Sequence, residues 1–294
     1  MGFGTLVRPE TPLLLFAAGL VLAIKWWRPV DWLKLLRAGL LLGVGVILPL
    51  VPWAARNWRT LHDVQFLAPR YSELPGEYTP LGFNAWTNTW LWHFRDVYLT
   101  QWKLNVEEIS IDDIPTSAFD SPAERERVSD LLDQHNEELT IGPQLDEQFR
   151  EIARERTQRR PLRTYVKIPF LRALTLWFTP RVEMMGYTGD LWPMHQSYED
   201  DPAGFYATVL LGAIGIIYVA LAVGGTARIF GKHLTDCPQM WGVAILIAYC
   251  VVRTTFLTRE QTPEPRYVLE CFPVVYALGA FLWARRADSS NSLM

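Results

Sequence analysis

The sequence predicts an all-α fold: a polytopic membrane helix bundle of about five spans, with a mainly helical extracytoplasmic domain inserted between spans two and three. Five apolar stretches approach the roughly 20 residues needed to cross a bilayer. Trp or Tyr stands at the ends of these stretches, where aromatic rings favour the membrane–water interface. The chain of 294 residues is 50% hydrophobic but also 20% charged, so its composition combines membrane spans with a polar domain.

The apolar stretches give the expected spans and domains. The first and fifth stretches are shorter than the others. The expected spans are Thr11–Trp27, Leu35–Ala55, Gly204–Val223, Met240–Leu257 and Tyr267–Trp283. The expected domains are 1–55 with two transmembrane helices, 56–203 as the extracytoplasmic domain with interfacial helices, 204–285 with three transmembrane helices, and 286–294 as a cytoplasmic tail.

Basic residues in the short loops predict the orientation, because cytoplasmic loops carry an excess of Lys and Arg. They follow the first, third and fifth spans, which places these three loops on the cytoplasmic side of a cell (inner) membrane. They are Lys25, Arg28, Lys34, Arg37, Arg228, Lys232, His233, Arg285 and Arg286. The N-terminus then lies outside, although "MGFGTLVRPE" lacks the basic region of a signal peptide. We therefore expect a further segment upstream of Met1.

An aromatic cluster opens the polar domain. Trp86, Trp90, Phe94 and Tyr98 recur at helical spacing, and Trp92 lies between them. Two interpretations remain open: a helix lying along the membrane interface, or a small core beneath a loop.

Two surface helices are expected next. Ser121 fits an N-cap, Pro122 the first helical position and Glu124 the capping-box position. We interpret the mixed charges of both helices as solvated faces. Their predicted apolar stripes are Val128, Leu131 and Leu132 in the first helix, and Leu145, Phe149 and Ile152 in the second.

The segment "RPLRTYVKIPFLRALTLWFTPR" predicts an amphipathic interfacial helix. Its basic face is expected to carry Arg163, Lys167 and Arg172, and it ends at Trp177 and Phe178. It is too short and too basic to span the bilayer comfortably.

Several kinds of site are disfavoured. The net charge of −3 gives no electrostatic case for nucleic acid, and the three cysteines form no CxxC pair. Neither GxSxG nor HExxH occurs. Gly43 and Gly45 favour helix packing over a phosphate loop, and Asp112 and Asp113 favour a solvated turn over a base or metal ligand. We predict no cofactor and leave a divalent-metal requirement open.

Charged residues gather at the expected outer membrane boundary. Charges at membrane depth usually face a partner or a cavity, and several Arg side chains could hold a phosphate or diphosphate there. The alternative is ordinary snorkelling at the interface. These residues are Arg8, Glu10, Arg56, Arg181, Arg253, Arg259, Glu264 and Arg266.

Four segments, distributed over most of the chain, resemble one protein family. They read "TLVRPETPLLL", "LPLVPWAARNWRTL", "RPLRTYVKIPFLRALTLWFTPR" and "EPRYVLECFPVVYALGAFL". They resemble the GT-C class of integral-membrane glycosyltransferases, in the bacterial branch similar to dolichyl-phosphate-mannose-protein mannosyltransferases and lipid-A aminoarabinose transferases. The resemblance implies transfer of a sugar from a polyprenyl-phosphate-linked donor to a lipid, glycan or protein acceptor outside the cytoplasmic membrane.

The resemblance also implies a donor site. Pro52 and Trp53 are expected to end the second span, which places the following residues at the outer surface. The candidates for contacting the donor phosphate are Arg8, Arg56 and Arg266, with Glu10, Asn57, Glu264 and Tyr267 in support.

The chain departs from the family at the catalytic acid. In the family that residue lies in the first outer loop, whereas this sequence starts near "RPE". We therefore expect the C-terminal portion of a glycosyltransferase, assign it no catalytic residue, and name the missing N-terminal half as a partner. The carboxylates Asp112, Asp113, Asp190, Asp200 and Asp201 lie in the wrong region to replace the acid.

Two other functions compete with the transferase. One is a non-catalytic membrane protein whose outer domain scaffolds a cell-envelope complex. The other is a transporter, which the lack of an internal repeat in the sequence disfavours.

Overall fold

The computed structural model describes residues 2–8, 10–26, 31–62, 66–67, 78–187, 189, 191, 194–230 and 238–283. Every regular element in these ranges is helical, which confirms the predicted class. The α-helices are α1 (Gly2–Val7), α2 (Pro12–Lys25), α3 (Trp32–Leu61), α4 (Leu81–Thr87), α5 (Phe94–Asp96), α6 (Pro122–Glu138), α7 (Pro143–Arg159), α8 (Ile168–Phe178), α9 (Met194–Asp200), α10 (Pro202–Phe230), α11 (Pro238–Leu257) and α12 (Phe272–Ala280). The chain forms two compact units: residues 1–176 with 251–264, and residues 177–250 with 265–294.

Among the described residues, three helices are long and apolar enough to cross a membrane, which indicates a membrane protein. They cover Trp32–Thr60, Pro202–Phe230 and Met240–Leu257, and match the second, third and fourth expected spans. The first expected span is α2, whose 14 residues extend about 21 Å at 1.5 Å per residue. A bilayer core is about 30 Å thick, so α2 alone is too short. The fifth is divided between a 3₁₀ helix, Pro265–Cys271, and the nine residues of α12.

The sequence predicts that the second span ends at Pro52 and Trp53, but helix α3 continues beyond both residues. It begins after Asp31, whose side chain accepts a hydrogen bond from the Lys34 backbone N–H at 3.1 Å, and continues to Leu61. Pro49 and Pro52 lie inside it, and each removes one backbone donor from the helix. His62 then ends the helix in the left-handed conformation, with φ 57°.

The aromatic cluster forms the core of a helical domain in the first unit. Trp86, Trp90 and Phe94 are at most 3% exposed, so the core interpretation is confirmed for them. Phe83 meets Phe149 of α7 edge to face, with ring centroids 5.1 Å apart. Such pairs contribute about 0.5–1.5 kcal/mol beyond their buried area.

The helices α6 and α7 begin and pack as expected. The Ser121 hydroxyl accepts a hydrogen bond from the Glu124 N–H at 3.2 Å, and Pro122 is the first residue of α6. Both predicted apolar stripes are buried. Their charges are only partly solvated, because Glu124 is buried and forms an ion pair with the fully buried Arg156 of α7.

Asp146 joins α7 to the start of α4. Its buried carboxylate accepts hydrogen bonds from the backbone N–H groups of Gly82 at 2.7 Å and Phe83 at 2.9 Å, and from the Tyr78 hydroxyl at 3.0 Å. It thereby satisfies N–H groups that a helix start leaves without intrahelical partners. A Cβ atom at Gly82 would lie 1.9 Å from the Asp146 carbonyl oxygen, so this approach requires glycine.

In the second unit, α10 and α12 pack closely at glycine. A Cβ atom at Gly225 would lie 1.8 Å from the Leu278 carbonyl oxygen, and one at Gly279 would lie 3.4 Å from the Leu221 Cβ. Small residues allow helix backbones to approach in this way. No described residue comes within 4 Å of a Cβ at Gly43 or Gly45, so the prediction that these two serve helix packing is wrong for the described part of the chain.

Replacing Asp146 with Ala should open the start of α4. The buried N–H groups of Gly82 and Phe83 lose their acceptor, at a cost of about 2–3 kcal/mol, so their hydrogen exchange should accelerate about 30- to 160-fold. Hydrogen–deuterium exchange of the full chain in nanodiscs measures this. Asp133→Ala, an exposed change on α6, is the control. Equal exchange in the two variants would contradict the assigned role of Asp146.

Replacing Gly225 with Ala should separate α10 from α12. The methyl group overlaps the Leu278 carbonyl, and such overpacking costs about 1–3 kcal/mol. We expect the melting temperature in nanodiscs to fall by about 2–8 °C. Gly242→Ala on α11 is the matched control, because no described residue lies within 4 Å of its Cβ position. A melting temperature that falls equally in both variants would show that the glycine contact is unimportant.

Candidate functional site

Three of the boundary charges meet in the first unit. One Glu10 carboxylate oxygen lies 3.3 Å from the Arg253 guanidinium and 3.7 Å from that of Arg8. Arg253 on α11 is fully buried, whereas about half of the Arg8 side chain is exposed. Glu10 therefore compensates a buried cation, in addition to contacting the predicted donor-binding Arg8.

Arg56 is held on the surface of α3 by its neighbours. Its guanidinium lies over the Trp53 ring, 5.1 Å from the centroid, and donates a hydrogen bond of 3.3 Å to the side-chain amide oxygen (Oδ1) of Asn57. Asn57 is buried, but the Arg56 side chain is exposed. The ring and the amide restrict an exposed cation to one place, where it can meet an anionic group.

An apolar groove of about 470 Å³ lies where α1 packs on α3 and reaches Arg56. Arg56 is the one charged residue among the described residues that line it. Both prolines of α3 contribute to its wall. The lining consists of Phe3, Leu6, Leu48, Pro49, Pro52, Trp53 and Arg56. Chemically, the groove suits an apolar chain that carries an anionic head group.

The other predicted residues are placed as follows. Arg8 follows α1 directly but does not line the groove. Glu264 is 3% exposed and belongs to the first unit. Arg266 and Tyr267 belong to the second unit, where the Arg266 guanidinium lies 5.5 Å from the Tyr267 ring centroid. The convergence of Arg8, Arg56 and Arg266 on one donor phosphate stays a prediction.

The prediction that Arg172 lies on the exposed basic face of the interfacial helix is wrong. It is 1% exposed and donates hydrogen bonds to the carbonyl oxygens of Leu91 at 2.7 Å, Glu260 at 2.9 Å and Thr258 at 3.3 Å. Arg163 is also paired, with Asp120, so of the expected basic face only Lys167 is exposed. The spacing could have shown this, because Arg172 lies four residues from both Ile168 and Leu176, which are buried.

Of the remaining acidic candidates, Asp112, Asp113 and Asp201 have structural partners, while Asp200 is exposed at the end of α9. Asp112 pairs with Arg125 at 2.7 Å and Asp113 with Lys103 at 3.2 Å, consistent with an exposed turn. Asp201 accepts a hydrogen bond from the Gly204 N–H at 2.9 Å at the start of α10. Among the residues that the structure describes, no group of three or more His, Cys, Asp or Glu side chains could hold a metal ion. Asp190 lies outside the described residues, as do the predicted loop residues Arg28, Lys232, His233, Arg285 and Arg286.

Comparison with protein-family models, with curated proteins and with solved structures finds no match for this chain. The features that bear on function are therefore the groove and the sequence segments that resemble the transferases.

Replacing Glu10 with Gln should weaken the packing of Arg253. Removing the charge opposite a buried guanidinium is destabilising, and because Glu10 is partly exposed we expect about 1–3 kcal/mol. The double variant Glu10→Gln/Arg253→Met should recover part of that loss, since it removes both charges. Denaturant unfolding of the four proteins in nanodiscs gives the coupling energy. Strictly additive effects would show that the pair does not stabilise the fold.

Proposed function

We propose that the chain is part of a membrane glycosyltransferase of the GT-C class, and that it binds a polyprenyl-phosphate-linked sugar in the groove between α1 and α3. The sugar is transferred to a lipid, glycan or protein acceptor outside the cytoplasmic membrane. The observation that carries the proposal is an apolar groove with a single cation, Arg56, in its lining.

The groove suits the two parts of such a donor. A polyprenyl chain is apolar and gains free energy when its surface leaves water or enters a complementary groove. Its phosphate is anionic, and a guanidinium offers a planar fork of donors for phosphate oxygens. The groove lies on α3, one of the helices able to span a membrane, so a lipid can enter it sideways from the bilayer.

The proposal extends to the predicted membrane topology. The segment 265–283 continues from a 3₁₀ helix into α12. Its seven 3₁₀ residues and nine α-helical residues extend about 28 Å together, close to the thickness of a bilayer core. This length supports a fifth span, with α2 as a short first one. In that arrangement 56–203 lies outside, and the exposed apolar side chains Leu162, Val166 and Phe170 suit the membrane interface.

The proposal assigns donor binding, not catalysis, to these residues. Arg56 holds the phosphate, with Arg8 and Arg266 as further contacts and Glu10, Asn57, Glu264 and Tyr267 in support. Transfer also requires a base for the acceptor hydroxyl, and the proposal leaves that base to another part of the enzyme.

Replacing Arg56 with Ala should weaken the binding of a polyprenyl phosphate about 10- to 100-fold, because a charge-assisted hydrogen bond contributes about 1.5–3 kcal/mol. Binding of the uncharged polyprenol should change little. Titration of the full chain in nanodiscs with both lipids measures the difference. Arg59→Ala is the control, since Arg59 is an exposed cation on the same helix outside the groove lining.

Equal weakening by Arg56→Ala and Arg59→Ala would indicate attraction to the charged membrane surface, and would contradict a donor site in the groove. A second assay follows a labelled polyprenyl-phosphate sugar in membranes that contain the complete enzyme. If the lipid binds but its sugar is not transferred to any acceptor, the scaffold function is favoured.

A further inference from the structure

A second cavity lies within the first unit, away from the groove. Its volume is about 480 Å³, inside the range of about 300–1,000 Å³ that is usual for small-molecule sites. It shares no lining residue with the groove. Its walls come from α4, α7, α8, the turn before α8 and the residues after α11. Its polar lining includes Asn88, Thr157, Thr164, Tyr165, Arg172 and Arg259.

Among the described residues, Arg172 differs from the other fully buried arginines, Arg156 and Arg253, because it has no carboxylate partner. Arg156 pairs with Glu124, and Arg253 pairs with Glu10. Arg172 bonds only to backbone carbonyls, and no carboxylate among the described residues pairs with it. Its Nη2 atom is closed to solvent and has no hydrogen-bond partner in the described part of the chain. Burial, and to a lesser degree the nearby charge of Arg259, lowers the pKa of the Arg172 guanidinium to about 10, so it remains charged at neutral pH.

Arg259 adds a second cation without a counter-ion. Its guanidinium lies 6.0 Å from the Tyr165 ring centroid and donates a hydrogen bond of 3.3 Å to the Tyr165 carbonyl oxygen. No described carboxylate pairs with it. The two other arginines of the lining, Arg150 and Arg154, are neutralised by Asp146 and Glu147. The cavity therefore carries two uncompensated positive charges.

The lining also has an unused acceptor and hydroxyl groups. The Asn88 Oδ1 atom, like Arg172 Nη2, is buried and has no partner, and a buried acceptor without a donor costs about 1–3 kcal/mol. The hydroxyl oxygens of Thr157 and Thr164 lie 3.5 Å apart at the same wall. A ligand with hydroxyl groups can donate to the Asn88 oxygen and exchange hydrogen bonds with both threonines.

We infer that this cavity binds a phosphate ester whose organic part carries hydroxyl groups. A phosphate monoester carries nearly two negative charges at neutral pH, which matches the two uncompensated guanidiniums. Arg259, being exposed, meets the phosphate first, while Arg172 supplies a buried charge behind it. A monocarboxylate would neutralise only one of the two cations. The site is independent of the proposed donor groove, and it would remain if that proposal failed.

Titration calorimetry of the full chain in neutral phosphatidylcholine nanodiscs tests the site. A hexose 1-phosphate represents a soluble ligand, and phosphatidylinositol 4-phosphate in the nanodisc represents a lipid head group. The unphosphorylated hexose should not bind. Arg259→Gln should lower the affinity for the phosphate ligand at least about tenfold, which is the effect of losing one charge-assisted contact. Arg127→Gln, which removes an exposed cation paired with Glu151 and Glu155, should leave the affinity unchanged.

Asn88→Ala separates recognition of the hydroxyl groups from recognition of the phosphate. The substitution should weaken the binding of hexose 1-phosphate several-fold but leave the binding of inorganic phosphate unchanged. Arg56→Ala should change the affinity for neither ligand, because Arg56 lines the groove and not this cavity. Binding of the lipid alone identifies a head group as the ligand, and binding of the sugar phosphate alone identifies a soluble one. Absence of binding by both, or equal loss in Arg259→Gln and Arg127→Gln, would overturn the inference.

Discussion

Buried charge is the constraint on which the first unit depends. A carboxylate or guanidinium removed from water is stable only where the fold supplies an opposite charge or a full set of hydrogen bonds. Asp146 receives two backbone N–H groups, a phenol and Arg150, while Arg156 receives Glu124. Apart from the Asp146–Arg150 pair, which lies within one turn of α7, these contacts join segments distant in sequence. The packing of the aromatic core is thus tied to a small number of ionic contacts.

The same contacts shape the cavity. Asp146 holds the start of α4 against α7, and α4 ends at Thr87, directly before Asn88. Thr157 lies further along α7 and faces the same cavity. Arg172 then links α8 to the carbonyl groups at Leu91 and Glu260. These hydrogen bonds fix the walls and leave the buried Arg172 guanidinium without a counter-ion among the described residues, which is costly away from water.

The groove has a different physical origin. Its lining is apolar because α3 is apolar along most of its length, and Pro49 and Pro52 form part of its wall. A hydrophobic groove with one cation suits a lipid phosphate, whereas a polar cavity with two cations suits a hydrophilic phosphate ester. The ligands proposed for the two features thus differ in solubility, although both carry phosphate.

Local rules in the sequence determined where several helices begin and which of their faces are apolar. Ser121 and Pro122 start α6 because capping depends on residues within one turn, and the stripe of Phe149 and Ile152 follows from helical periodicity. Only the tertiary structure decided the rest. The prolines of α3 do not end it, Gly225 rather than Gly43 lies at a close helix contact, and Arg172 faces inward. These outcomes depend on what each residue meets from distant parts of the chain, and spacing along the sequence carries little of that information.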